Sequence, residues 1–551
     1  MKFTRILLIF LGLVPFCTQA QLLKAKPKFT RADTLRGMLT PLRTCYDINY
    51  YHLDVKFDIA NKFISGSNQF KFTATQNFTK LQFDLFSNLK VEKVVYKGAN
   101  VPFKREFNAV FVTFPKTIAK GAQGEFTVYY SGNPIVAKKA PWDGGVVYKT
   151  DSLGNPFVAT ACQGLGASVW WPNKDHQADE VDSMLISISV PTGLTEVSNG
   201  RLRKTTDLKN GYTRFDWFVG SPINNYGVVV NIGDFAHISD SYMGENGKLT
   251  LDYWVLKYNA AKAQKHFDAN VKPMLKSFES WFGPYPWYED GYKLVEAPHL
   301  GMEHQSAVAY GNKYGNGYLG QDLSGTGWGL KWDYIIVHES GHEWFGNNIT
   351  SKDIADMWIH EGFTDYSESL FIESQYGKQA GQEYNFGLRK GIDNDGPIVG
   401  PYNVNKEGSG DMYPKGSVIL NMVRTIINDD AKWREILRGL NKTFARKTVT
   451  YDDITGYISQ QSGMKLAPVF DQYLHYKSLP ILNIETVKGR LFVRWIAEAP
   501  GFTMPVKIRV KGGEYKFVTP TNVLKPLEIP GLTKDNVEID MFNYYIGTLI
   551  E

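Results

Sequence analysis

Three residues in one short stretch, His338, Glu339 and His342, have the types and the spacing to activate water. They lie in Val337-His338-Glu339-Ser340-Gly341-His342-Glu343-Trp344-Phe345-Gly346-Asn347. On a helix, side chains four residues apart share one face a single turn apart, so both imidazoles can reach the same metal ion. Glu339 then sits beside that ion, where a carboxylate can take a proton from a coordinated water. A catalytic zinc needs a third protein ligand and one open position. Glu361 supplies the candidate, nineteen residues after His342 in Trp358-Ile359-His360-Glu361-Gly362-Phe363-Thr364. Two antiparallel helices joined by a loop would return its carboxylate to the ion. His360 lies about 100° around that helix from Glu361 and is not expected to bind.

The elements that must position these residues are legible as patterns. Residues from about 44 to 240 alternate apolar and polar types in YHLDVKFDIA, NQFKFTAT, KLQFDLF and EFTVYY, separated by Gly, Asn and Pro turns. That is the period of half-buried strands, and their spacing indicates a large antiparallel sheet or saddle. Helical periodicity begins at 259–282, where His266, Val271, Leu275 and Phe278 fall near one face, and Pro284 and Pro286 end it. A short strand is expected at Tyr292–Ala297, and helices at about 330–346, 354–376 and 414–428. From Leu479 the pattern reverts to strands, with hairpin turns at Lys488-Gly489 and Gly512-Gly513. The expected organisation is therefore an α+β multidomain chain: residues 1–20 a leader, 21–245 an N-terminal antiparallel β saddle, 246–475 a mainly helical catalytic unit, and 476–551 a small β-sandwich.

The ligand stretch resembles the aminopeptidase N family of zinc metallopeptidases, the gluzincin group that includes leukotriene hydrolase. The family pattern is HExxH, eighteen residues, then Glu; His338, His342 and Glu361 match it, and HEWFGN and WIHEGF look like the flanking family segments. Leu300-Gly301-Met302-Glu303-His304-Gln305 resembles the family's Gly-x-Met-Glu-Asn exopeptidase motif. By that resemblance Glu303 pairs with the cationic α-amine of a peptide, an anchor an exopeptidase needs. His304 departs from the motif, standing where the family usually has Asn. Thr160-Ala161-Cys162-Gln163 looks like the segment that supplies a second amine-binding or pocket-lining group, which implies that role for Gln163; Gly301 and Met302 would line the substrate pocket. Asp411-Met412-Tyr413-Pro414-Lys415-Gly416 resembles the Tyr-x-Lys-Gly segment, and Tyr413 would donate to the oxyanion, since a phenol keeps its proton at neutral pH. Glu368, seven residues beyond Glu361, resembles a carboxylate that orients a ligand histidine. WWPNKD (Trp170–Asp175) also looks like a family segment. The resemblance implies a thermolysin-like catalytic domain, one zinc ion, and removal of single residues from peptides with free N-termini. Its rivals within the same family are an epoxide hydrolase and a non-catalytic peptide-binding protein. The β-rich ending differs from the long members, whose helical C-terminal domain roofs the site, so a more open site is expected.

Composition bounds the remaining possibilities. The chain has 551 residues, 43% hydrophobic and 21% charged, with a formal net charge of +5. That balance suits a globular protein of several domains, and with no dense Lys/Arg run nucleic acid is not an expected partner. Lys2 and Arg5, the apolar run Ile6–Phe16 and the small residues ending at Ala20 form a secretory signal pattern, so a secreted or periplasmic protein without a transmembrane anchor is expected. Without those two cations the charge is nearer +3, from 59 basic and 56 acidic residues. Cys45 and Cys162 would remain, and two thiols so far apart in sequence establish no pair. Sequon-like Asn77, Asn348 and Asn441 carry no weight alone, and Asn348 lies too near the zinc helix to suit a glycan. Oligomeric state leaves no signature.

Overall fold

The computed structural model of the protein describes residues 28–551, so the expected leader lies outside the described residues. Period-two burial builds the first unit. In the strand Tyr46–Asp58, Leu53, Val55 and Phe57 are buried while Lys56 is exposed, as one-sided packing requires. This strand lies at the centre of an eight-stranded sheet, antiparallel to Phe63–Ala74 and parallel to Ser183–Pro191. The parallel pair departs from a wholly antiparallel saddle. It arises because the chain passes through smaller sheets before returning on the far side of Tyr46–Asp58.

A five-stranded sheet opens the second unit, made from Phe235–Gly244, Gly247–Leu256, Tyr292–Glu296, Val308–Tyr310 and Gly301–Met302. The boundary expected near 245 falls on the turn of a hairpin, both arms of which belong to this sheet. Helix α1 (Ala260–Phe282) buries Phe267, Val271, Leu275 and Phe278 and stops at Gly283, whose φ of 97° no helix continues. Helix α2 (Tyr334–Gly341) is shorter than the 330–346 expected. Trp344 and Phe345 keep an apolar rhythm because both are core residues, but Phe345 and Gly346 leave helical geometry, Gly346 at φ 134°. Helix α3 (Trp358–Tyr376) is buried from Trp358 to Ile372, and α4 (Pro414–Ile427) packs across it. At the crossing the backbones touch: a Cβ on Gly416 would stand 2.7 Å from the Gly362 Cα. That approach carries Tyr413, immediately before α4, over the ligand helices.

Residues 481–550 form a four-stranded and a three-stranded sheet. Their buried side chains, among them Leu482, Trp495 and Tyr544, continue one hydrophobic core with the helices. Arg389 ties the two regions by donating to the carbonyls of Met541 and Phe542 at 2.7 and 2.9 Å. Cys45 and Cys162 are separate buried thiols. Asn348 and Asn441 are buried and bonded to each other at 3.1 Å, so in this fold neither is open to a glycan. Among the described residues no helix is long and apolar enough to cross a membrane.

Candidate active site

The zinc-ligand candidates converge because each helix end is pinned. Asp333 caps α2 by accepting from the amides of Ile335 and Ile336 at 3.0 and 3.2 Å. The same carboxylate takes His266 Nε2 from α1 and Tyr310 Oη from the sheet, both at 2.7 Å, so α2 starts at a fixed point. His338 and His342 then face Glu361, which lies in the first turn of α3. Glu361 Oε2 is 3.3 Å from His342 Nε2 and 3.8 Å from His338 Nε2. A tetrahedral ion held at ~2.0–2.1 Å spaces its donors by about 3.3–3.4 Å, so the set needs little adjustment to accept zinc. Glu361 Oε2 is buried with no hydrogen-bond partner, an orphan acceptor that a cation would satisfy. Burial pushes its carboxyl upward, but the nearby imidazoles of His342 and His338 outweigh that and hold it below the ordinary range.

The opposite ring nitrogens fix which atoms face the site. His338 Nδ1 lies 2.7 Å from Glu368 Oε1, and Tyr384 Oη donates to Glu368 Oε2 at 2.7 Å. His342 Nδ1 lies 3.0 Å from the Phe345 carbonyl, the residue at which the helix breaks. Both Nε2 atoms are thereby left for the ion. Asp365 Oδ1, 3.6 Å from His338 Nδ1, adds a second buried carboxylate to this flank. His360 instead accepts at Nε2 from the Ser351 amide at 2.7 Å, well suited to a structural role.

Glu339, Glu303, Gln163, Gly301, Met302 and Tyr413 line one cavity of about 240 Å³ with the three ligand candidates. Glu339 is buried, and desolvation drives its carboxyl up to about 7. Gly301 leaves the space this side chain occupies: a Cβ there would meet Glu339 Oε1 at 2.6 Å. Carboxylate oxygens of Glu303 and Glu339 and a ring nitrogen of His342 lie within 4.8 Å of one another. Gln163 Nε2 donates to Glu303 Oε1 at 2.5 Å and to Glu361 Oε1 at 3.3 Å, linking the first unit to both carboxylates. Tyr413 stacks near His338 with ring centroids 6.2 Å apart. Burial, then the charges of Glu361 and Glu303, raise its pKa far above 10, so it is a donor at any ordinary pH. Met302 both lines the cavity and packs with Ala161, Tyr226 and Ala309.

The cavity also contains residues that the sequence did not single out. Trp142, 69% exposed, and Pro141 stand at its mouth, and Glu407 lines its wall. Behind it, Glu343 and Asn347 form a buried cluster with the Glu303 loop. Glu343 and Asn347 fall inside the HEWFGN segment, which was the one available signal; Trp142 and Glu407 had none.

Two family models match the chain. One described as the Peptidase family M1 domain covers residues 267–473, and one described as the Peptidase M1 N-terminal domain covers residues 47–224. Among curated proteins, aminopeptidase B of Rattus norvegicus is 23% identical over 423 residues, 73% of this chain and 58% of that protein. A probable aminopeptidase 2 of Sulfurisphaera tokodaii is 20% identical over 499 residues, 86% of this chain and 60% of that protein. The chain thus spans less than two thirds of the length of these relatives. An M1 zinc metallopeptidase of Deinococcus radiodurans superposes with a TM-score of 0.64 at 19% identity, covering 79% of this chain and 95% of that one. At that identity the likeness speaks to the fold.

Proposed function

We propose that this chain, which belongs to peptidase family M1, is an exported zinc aminopeptidase that hydrolyses the first bond of peptides with a free N-terminus. The observation that carries the reading is the meeting, in one cavity, of a zinc donor set with Glu339 and Glu303, whose carboxylates approach within 4.8 Å of each other and of His342. A buried carboxylate so close to the donor set suits a cationic amine and leaves little space for chain upstream of it. Zinc held by His338, His342 and Glu361 would supply Lewis acidity, making a water more acidic and drawing charge from a carbonyl oxygen.

The chain's own groups supply the rest. Glu303, with Gln163 bonded to it, holds the α-amine and sets which peptide bond lies over the donor set. Glu339 accepts a proton from the attacking water at its carboxylate and returns it to the departing amine. Tyr413 donates its phenolic hydrogen to the carbonyl oxygen as negative charge grows there. Glu368 and the Phe345 carbonyl keep the two imidazoles turned toward the site. Pro141 and Trp142 at the mouth and Met302 within supply apolar surface for the first side chains of a peptide.

The test is Glu339→Gln. The variant should bind one zinc per chain and retain its melting temperature, yet lose turnover of aminoacyl reporter amides by about 10³-fold or more. Turnover near the wild-type rate would remove Glu339 from the chemistry. Export is supported by the leader pattern and is read directly from the N-terminal residue of protein recovered outside the cytoplasm: Gln21 supports cleavage after Ala20, and an intact Met1 contradicts it.

A further inference from the structure

Glu343 is fully buried behind the cavity and does not line it. Its carboxylate accepts four hydrogen bonds. Oε1 takes Tyr285 Oη at 3.0 Å and the Ser306 amide at 2.8 Å. Oε2 takes Trp287 Nε1 at 2.9 Å and Asn347 Nδ2 at 3.0 Å. Four donors around one group match a carboxylate and no other side chain of that size, because it accepts at both oxygens and donates at neither.

Two of these four donors belong to the support of Glu303. Asn347 Nδ2 also donates to the Glu303 carbonyl at 2.9 Å. Ser306, three residues on, has a φ of 54°, a left-handed conformation that a non-glycine residue holds only when its surroundings enforce it. Glu343 enforces it at the Ser306 amide. The first unit enforces it elsewhere: the Gly200 amide donates to Ser306 Oγ at 2.9 Å, and Asn199 Nδ2 to the Gln305 carbonyl at 2.7 Å.

We infer that Glu343 and Asn347 are positioning residues that hold the Glu303 loop in place, and so set the preference of the site for a free amine. The inference rests on the proposed role of Glu303. It yields a specific asymmetry for Glu343→Gln, an isosteric change. The new amide nitrogen must face either the Ser306 N–H or the Trp287 N–H, and neither donor can turn. Facing Ser306 releases the loop directly. Facing Trp287 places it beside the Asn347 amide nitrogen as well, and if Asn347 flips to relieve that contact, its bond to the Glu303 carbonyl is lost.

The experiment uses the full zinc-loaded chain as wild type, Glu343→Gln and Asn347→Ala. Calorimetry measures binding of phenylalaninol and of 3-phenylpropan-1-ol, which lacks the amine and, like phenylalaninol, has no amide bond to cleave, while zinc content and melting temperature are followed in parallel. The wild type should prefer the amine-bearing probe, and each variant should lose about tenfold of that preference while holding one zinc and its affinity for the amine-free probe. The KM for a leucyl reporter amide should rise more than kcat falls. Folded variants that keep the wild-type preference, or that weaken for both probes equally, overturn the inference. If Glu343→Gln fails to fold, Asn347→Ala decides alone, because it removes the direct bond to the Glu303 carbonyl. A wild type with no amine preference overturns both this inference and the role of Glu303. A wild type that prefers the amine but cleaves no peptide leaves the inference standing and refutes the aminopeptidase reading.

Discussion

Replacing Gly301 with alanine adds one methyl group at the point where the sheet edge meets the base. The Cβ would stand 2.6 Å from Glu339 Oε1, 2.9 Å from Ile335 Cγ2 and 3.0 Å from Glu339 Cγ. Ordinary contact begins near 3.4 Å, so the carboxylate must retreat by roughly 0.8 Å. Gly301 does not have a positive φ, so the backbone accepts alanine and the conflict is one of space alone. Ile335 on α2 must give by a few tenths of an ångström within the core, whereas the end of Glu339 can swing and takes the larger displacement. A displacement approaching 1 Å in a reacting group costs about 10²-fold, so kcat should fall by about 10- to 100-fold. None of the three nearest atoms is a zinc donor, so zinc content should be unchanged, while the clash with the buried Ile335 side chain should lower the melting temperature modestly. The assay is kcat on a leucyl reporter amide, beside zinc analysis and a thermal melt. A folded, zinc-loaded Gly301→Ala variant with kcat within about twofold of wild type would refute the claim that Glu339 acts from this position.

Other consequences follow from the same contacts. Glu368→Ala removes the shortest contact of His338 Nδ1, leaving Tyr334 Oη at 3.2 Å and Asp365 Oδ1 at 3.6 Å, and loosens the imidazole, so zinc affinity measured by chelator competition should fall by about 10-fold; unchanged affinity would count against its orienting role. His176 is half-buried, and desolvation, followed by the Arg43 charge, pushes its pKa from 6.5 down to about 3. Between those values the unfolded chain binds a proton that the folded chain does not, so this residue costs stability as pH falls through that window. His176→Asn can keep an acceptor for the Ala178 amide without titrating, and its melting temperature should drop less than that of the wild type between about pH 7 and pH 5; parallel curves would contradict the assignment.

The three residues that could hold a metal, His338, His342 and Glu361, were legible because their information is local: a one-turn spacing on one helix and a carboxylate early on the next. The strand at Tyr51–Phe57 was legible for the same reason, since alternation records one-sided burial directly. The break after His342 was not, because Trp344 and Phe345 are apolar for the sake of the core whether or not the helix continues. Glu343 shows the limit most plainly. In the sequence it is one more charged residue beside a motif. Its four partners come from three separate segments, at Tyr285 and Trp287, Ser306, and Asn347, and only the fold brings them together. Glu407 and Trp142 reach the cavity from loops with no periodicity to mark them. A large antiparallel sheet was expected from its strands, but the parallel pairing of Tyr46–Asp58 with Ser183–Pro191 depends on a return path that no strand encodes alone.

The most direct test of the central claim is hydrolysis of a panel of aminoacyl reporter amides, each offered with a free and with an N-acetylated amine, before and after zinc removal by a chelator. Cleavage of the free-amine forms alone, lost on chelation and restored by zinc, is the predicted result. Cleavage of the acetylated forms at comparable rates, or activity that survives complete zinc removal, would contradict it.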